Sequence, residues 1–278
     1  MCGTCGCSDP ANEVKMVDPE TGQETLLRNG SLLHEKHDHD DHDHYGHDHH
    51  HSHEGDDKPH VHGPNGEIIS LEQAVLSKND QIAERNRGWF EGRGVLALNL
   101  VSSPGAGKTT LLERTIREIG GQRQVYVIEG DQMTSNDAER VRAAGARAIQ
   151  INTGAGCHLE ADMISDAVKQ LDPEPGSVVL IENVGNLVCP SMFDLGEKMK
   201  VAVISTTEGE DKPLKYPHMF RASEVVLINK MDIAEVVEFD EAQCRSNIAE
   251  VNPKAKVISV SAKTGVNFVD WLEVLKDN

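Results

Sequence analysis

The stretch Val95-Leu96-Ala97-Leu98-Asn99-Leu100-Val101-Ser102-Ser103-Pro104-Gly105-Ala106-Gly107-Lys108-Thr109-Thr110 decides the fold. Residues 95–101 form a nearly continuous apolar run of strand length, the habit of strands buried on both faces of a parallel sheet. The chain then turns through glycines into a helical pattern. In that context Gly105, Ala106, Gly107, Lys108, Thr109 and Thr110 read as a phosphate cradle. Glycines let backbone N–H groups turn toward phosphate oxygens, Lys108 supplies charge, Thr109 offers a hydroxyl to Mg²⁺, and the helix start adds its dipole. One departure stands out: the first glycine of the usual GxxxxGK[ST] pattern is Ser102 here.

Working outward, apolar runs recur at 125–128, 148–151, 178–181, 201–204, 225–228 and 257–260, with helix-length spacers at 109–119, 136–144, 159–171 and 241–251. This alternation predicts an α/β fold: a P-loop NTPase with a mostly parallel sheet flanked by helices. Upstream, Ser70-Leu71-Glu72-Gln73 is a capping-box pattern opening a helix that ends near residues 88–92. The nucleotide domain is therefore expected over 67–278, with structure starting near Ser70. Residues 1–33 read as a polar leader. Residues 34–66 read as a low-complexity tract: twelve of the fourteen histidines fall in it, mixed mainly with Asp and Glu. With almost nothing apolar to bury, the tract is expected to be disordered without metal.

Base choice rests on later motifs. The run at 225–228 ends in Asn229-Lys230-Met231-Asp232. A carboxylate such as Asp232 can accept from both the ring N–H and the exocyclic amine of guanine, while the Lys230 stem covers the base. Ser261-Ala262-Lys263, after the run at 257–260, provides a loop whose backbone N–H can meet guanine O6. The order of the three motifs points to GTP/GDP. For Mg²⁺ and catalysis, Lys108 and Thr109 are joined by Glu182, at the start of Glu182-Asn183-Val184-Gly185, and by Asp131 at another strand end. Which carboxylate holds the ion stays open. No glutamine follows Gly185 to position water, so slow hydrolysis is expected.

The chain carries 46 acidic against 27 basic side chains. That balance argues against nucleic acid or anionic membrane as partners. Residues 1–66 hold 14 of the acids and only 4 of the bases. No apolar run approaches the roughly 20 residues of a membrane span, and the start lacks a secretory pattern. A cytoplasmic protein is expected, whose six cysteines are thiols or metal ligands.

Three metal sites are expected. Cys2, Cys5 and Cys7 place three thiolates within the first seven residues, and mixed sulfur/nitrogen ligation there suits Ni²⁺. The histidine tract suits buffering of several metals. Cys157-His158, just after one strand, and Cys189, in the loop after Glu182, form the third site. Nickel and zinc both suit those ligands. Cys189 lies on the segment expected to respond to the γ-phosphate, so nucleotide and metal would be linked there. Cys244 and His218 read as structural or incidental.

Taken together, Met-Cys-x-x-Cys-x-Cys, the histidine insert, Ser-Pro-Gly-Ala-Gly-Lys-Thr, Gly-Ala-Gly-Cys-His, Glu-Asn-Val-Gly-Asn-Leu-Val-Cys-Pro and Asn-Lys-Met-Asp resemble the HypB family, hydrogenase nickel-incorporation GTPases of the dimerising SIMIBI class. The resemblance implies nickel delivery to the [NiFe] hydrogenase large subunit and a small HypA-type metallochaperone as partner. It also implies a homodimer formed on GTP binding, with metal held at its interface by Cys157, His158 and Cys189. The urease accessory GTPases commonly carry Cys-Pro-His, which this chain lacks. A storage protein with a nucleotide-binding scaffold is opposed by Lys108, Thr109 and Asp232, and a P-loop kinase by the guanine motif.

Overall fold

The computed structural model describes residues 13–18, 21–28, 60–62, 68–131 and 136–276. Its strands are β1 (Val14–Val17), β2 (Glu24–Arg28), β3 (His60–His62), β4 (Ile68–Ser70), β5 (Leu96–Ser102), β6 (Val125–Asp131), β7 (Arg147–Asn152), β8 (Val178–Glu182), β9 (Met199–Ser205), β10 (Val225–Asn229) and β11 (Lys256–Ser259). Its helices are α1 (Leu71–Gly92), α2 (Lys108–Ile119), α3 (Asn136–Ala143), α4 (Ala161–Leu171), α5 (Lys212–Lys215), α6 (Pro217–Arg221), α7 (Glu241–Val251) and α8 (Phe268–Val274).

Nine strands form one sheet in the order β11-β10-β9-β5-β8-β6-β7-β1-β2. From β11 to β7 every pairing is parallel, as the run of continuous apolar strands predicts. Every residue of β5 is buried, and its side chains divide between two layers. Leu96, Leu98 and Leu100 join α2, through Leu111, Leu112 and Ile116, and α8, through Phe268 and Trp271. On the opposite face Ala97 packs with Phe90 of α1 and Ile164 and Ala167 of α4. Truncating a leucine so enclosed costs about 2–5 kcal/mol. Helix α1 begins as its sequence indicates: Gln73 N–H donates to Ser70 Oγ and Ser70 N–H to Gln73 Oε1.

Structure nevertheless starts well before Ser70, and here the sequence expectation needs correction. β1 pairs antiparallel with β7, through Met16 opposite Ile151, and β2 extends the sheet beyond it. The reason is side-chain burial: Val14 and Met16, alternate residues of one strand, sink into the core beside Ile149 and Ile151. A four-residue strand in a polar leader offers too little periodicity to be seen. The histidine tract also ends in structure, with β3 pairing antiparallel with β4. Cys2, Cys5, Cys7 and the rest of the tract lie outside the described residues.

Because seven neighbouring strands are parallel, the loops after β5, β6, β7, β8, β10 and β11 emerge along one edge. Ligands of such sheets sit at that carboxyl-end edge, where the order of strands changes direction. Here β5 lies between β8 and β9.

Candidate functional site

The loop after β5 is shaped by two left-handed glycines, Gly105 (φ +77°) and Gly107 (φ +94°). A Cβ on Gly107 would also lie 2.6 Å from Asn229 Nδ2, so backbone conformation and space both demand glycine. Ser102, at the unusual position, is the fully buried last residue of β5. Its hydroxyl accepts from Lys108 Nζ at 2.6 Å and donates to Ser103 O at 2.6 Å. Strand backbone needs no glycine there, and the serine holds the lysine instead.

Thr109, in the first turn of α2, donates to Glu182 Oε1 at 3.2 Å. Beside Glu182 in strand register stands Glu129 on β6. Both carboxylates are buried, and both line a cavity of about 650 Å³ with the phosphate loop, Asp131, Arg140 and Cys157. Neighbouring carboxylates away from water are costly without cationic or hydrogen-bonding partners. Together with the threonine hydroxyl they make an oxygen donor set that fits Mg²⁺. A Cβ on Gly185 would come within 3.1 Å of Pro104 Cγ, so the loop after β8 rests against the phosphate loop.

The later motifs close on the same loop. Asn229 Nδ2 donates to Ala106 O at 2.9 Å, and Asn229 Oδ1 accepts from Ala262 N–H at 3.0 Å, making Asn229 a strut between two loops. Lys230, in the left-handed region at φ +64°, donates from Nζ to Gly105 O at 2.7 Å. Asp232 Oδ1 accepts from Ser261 Oγ at 2.6 Å, and Lys263 lies exposed next to them.

The third group sits on loops following β7 and β8. Cys157 Sγ is 2.8 Å from Cys189 Sγ and 3.5 Å from His158 Nδ1. All three donor atoms lie within 4.8 Å of one another. His158 is buried, its ring 3.9 Å from that of Phe193. Two thiols and an imidazole fit Ni²⁺ or Zn²⁺ and leave coordination positions open, as exchangeable metal needs. Cys244 differs. It is fully buried in α7, and burial, reinforced by the Glu210 carboxylate, pushes its thiol up to about 12. A thiol so protonated is no ligand.

The expected residues Lys108, Thr109, Glu182 and Asp131 are thus gathered at one cavity, as are Cys157, His158 and Cys189 at one cluster. Two residues were missed. Glu129 was visible in principle, because it lies two positions before Asp131 and alternate strand residues share a face. Arg140 carried no such signal. It reaches the site only through α3, bound to both oxygens of Glu113 and 3.4 Å from Thr110 Oγ1.

Residues 96–259 match the family described as CobW/HypB/UreG, nucleotide-binding domain. A protein of Rhizobium leguminosarum bv. viciae called hydrogenase maturation factor HypB is 57% identical over 219 residues, spanning 77% of this chain and 73% of that one. The hydrogenase/urease maturation factor HypB of Helicobacter pylori is 39% identical over 213 residues, spanning 74% and 86%. A crystal structure described as HypB from Helicobacter pylori in complex with nickel superposes with a TM-score of 0.69 at 40% identity, covering 72% of this chain and 94% of that one. With its phosphate loop, guanine-type motifs and Cys-His-Cys cluster on one sheet edge, the chain belongs to the HypB family of P-loop nucleotide-binding proteins.

Proposed function

We propose that the chain is a GTP-binding, slowly hydrolysing nickel metallochaperone. It stores nickel and inserts it into the large subunit of [NiFe] hydrogenase, and nucleotide state controls its dimerisation and its hold on the metal. One observation carries this reading: Cys157 lines the same cavity as Lys108, Thr109 and Glu182. The names of the relatives support the client, and the nickel in the Helicobacter pylori structure supports the cargo.

In this reading the amides of residues 105–110 and the Lys108 ammonium bind the phosphates, and Asp232 selects guanine while Lys230 and the 261–263 loop frame the base. Mg²⁺ would be held by Thr109 and Glu182, with Glu129 and Asp131 alongside, and would supply charge against the phosphates. Asn186 takes the place after Gly185 where a water-positioning glutamine is expected. Its amide instead donates to Cys157 O at 3.2 Å, and its oxygen accepts from Val188 N–H at 2.8 Å. A side chain occupied in that way favours a slow switch over rapid turnover. It also ties the γ-phosphate loop to a metal ligand.

Cys157, His158 and Cys189 take nickel as cargo; zinc suits the same donors. A two-fold dimer would bring two such sets together, so no single chain need complete the shell. Cys2, Cys5, Cys7 and the 34–66 tract gather metal without reference to nucleotide, ahead of the 67–278 domain. A HypA-type metallochaperone is the proposed exchange partner, in the cytoplasm. No helix among the described residues is long and apolar enough to cross a membrane.

Complementation tests the reading. A strain lacking this protein should lose hydrogenase activity, and Lys108→Ala should fail to restore it. Restoration by Lys108→Ala would instead favour nickel storage on a nucleotide-binding scaffold. Loss of urease activity alone would favour a urease accessory role, a reading given weight by the double name of the Helicobacter pylori relative.

A further inference from the structure

Asn99 is a polar residue in the middle of the central strand, 0% exposed, with leucines on either side. Its amide belongs to a chain of buried hydrogen bonds crossing from one metal-bearing loop to the other. Asn183 Oδ1 accepts from the N–H of Leu159 at 3.2 Å and of Val184 at 3.0 Å. Asn183 Nδ2 donates to Asn99 Oδ1 at 3.2 Å, and Asn99 Nδ2 donates to Glu197 Oε1 at 3.0 Å. Lys200 Nζ stands 3.6 Å from that oxygen and donates to Pro190 O at 2.9 Å and Phe193 O at 3.0 Å.

The ends of this chain are informative. Leu159 directly follows His158, and Pro190 directly follows Cys189. In between, Asn183 directly follows Glu182, the carboxylate that accepts from Thr109. The four side chains are buried, and a buried ion pair with two buried amides adds little stability over an apolar filling of the same volume. Their arrangement is explained by geometry: directional bonds fail over small displacements, so loops joined by them move together or lose the bonds.

We propose that Asn99, Asn183, Glu197 and Lys200 are positioning residues that set the separation of Cys157-His158 from Cys189 and make it follow the strand end carrying Glu182. The proposal rests on the nucleotide–metal linkage proposed above and names the residues through which it passes. Helix α1 provides an internal contrast. Asn86 Nδ2 donates to Ala161 O at 2.7 Å and Leu195 O at 3.1 Å, fastening the same two loops without touching β8.

The test is a Ni²⁺ titration of the full chain with GDP and with a non-hydrolysable GTP analogue. The internal site is identified as the binding that Cys189→Ser removes, and the quantity read is the ratio of its two affinities. Couplings of this kind run from roughly 5- to 150-fold. Asn99→Leu and Lys200→Met, at different points of the chain, should each still bind the analogue and nickel, with the ratio falling to within about twofold of one. Asn86→Ala should lower thermal stability while keeping the ratio. Wild-type ratios in both Asn99→Leu and Lys200→Met would overturn the proposal alone. A ratio of one in the wild type would overturn the underlying linkage, and this proposal with it. Should Asn99→Leu fail to fold, Lys200→Met decides.

Discussion

Cys157 and Cys189 are 32 positions apart in sequence, yet their sulfurs stand 2.8 Å from each other. They are carried by the loops leaving β7 and β8, strands that flank β6 on its two sides. The same arrangement leaves Cys157 on the wall of the cavity lined by the phosphate loop. Metal chemistry and phosphate chemistry are therefore neighbours by topology.

Thiol labelling of the folded chain should separate the cysteines. At pH 8 a small alkylating reagent should modify Cys157 and Cys189, and prior nickel loading should protect both. Cys244, buried and held protonated up to about 12, should stay unlabelled until the chain is unfolded. Peptide mapping by mass spectrometry reads all three, and rapid labelling of Cys244 would contradict its assignment to the core.

Gly107→Ala should abolish tight nucleotide binding. The new methyl group meets Asn229 Nδ2 at 2.6 Å in a backbone at φ +94°. The left-handed conformation alone costs an L-residue about 1–2 kcal/mol. Displacing Asn229 would also break its bond to Ala106 O. Calorimetry should show at least a tenfold loss of GDP affinity together with a lower melting temperature.

Glu182→Gln should separate magnesium from phosphate binding. The amide keeps the side-chain shape but removes the charge next to Thr109. GDP affinity measured with Mg²⁺ should fall at least tenfold, while affinity in the presence of a chelator should stay close to wild type. Equal losses in both conditions would shift the ion to Glu129 or Asp131, the other carboxylates of the cavity.

Asp232→Asn should reverse the base preference. Guanine presents two donors to the carboxylate, and an amide can accept only one of them while its own N–H opposes the other. Xanthine, with a carbonyl in place of the exocyclic amine, suits the amide. An unpaired buried polar group costs about 1–3 kcal/mol, so GTP affinity should drop roughly tenfold to a hundredfold and xanthosine nucleotides should gain in competition assays. The Ser261 hydroxyl, 2.6 Å from Asp232 Oδ1, would still orient the substituted side chain.

Much of the frame was legible because local signals agreed with one another. The runs at 95–101, 178–181 and 225–228 are strands, Ser70 and Gln73 form the capping box, and Lys108 begins α2 where the glycine turn ends. Short elements escaped. β1 has four residues, and the reason it pairs is Ile151, far along the chain. The apolar residues of α8 pack on α2 from the other end of the domain.

The sequence by itself determined the kinds of chemistry present. A glycine-rich turn between an apolar strand and a helix makes a phosphate cradle, Asp232 reads guanine, and Cys-His with a second cysteine holds soft metal. Each of these depends on residue type and short spacing, which a linear chain displays. Tertiary structure decided what stands beside what. Only the parallel order of the strands brings Glu129 into register with Glu182, sets Cys157 against Cys189, and lets Asn99 reach both Asn183 and Glu197. Such contacts join residues tens of positions apart, and the chain between them carries no periodic signal of the meeting. The physical reason is that sheet order and register are set by burial summed over the whole domain, and no local stretch contains that sum.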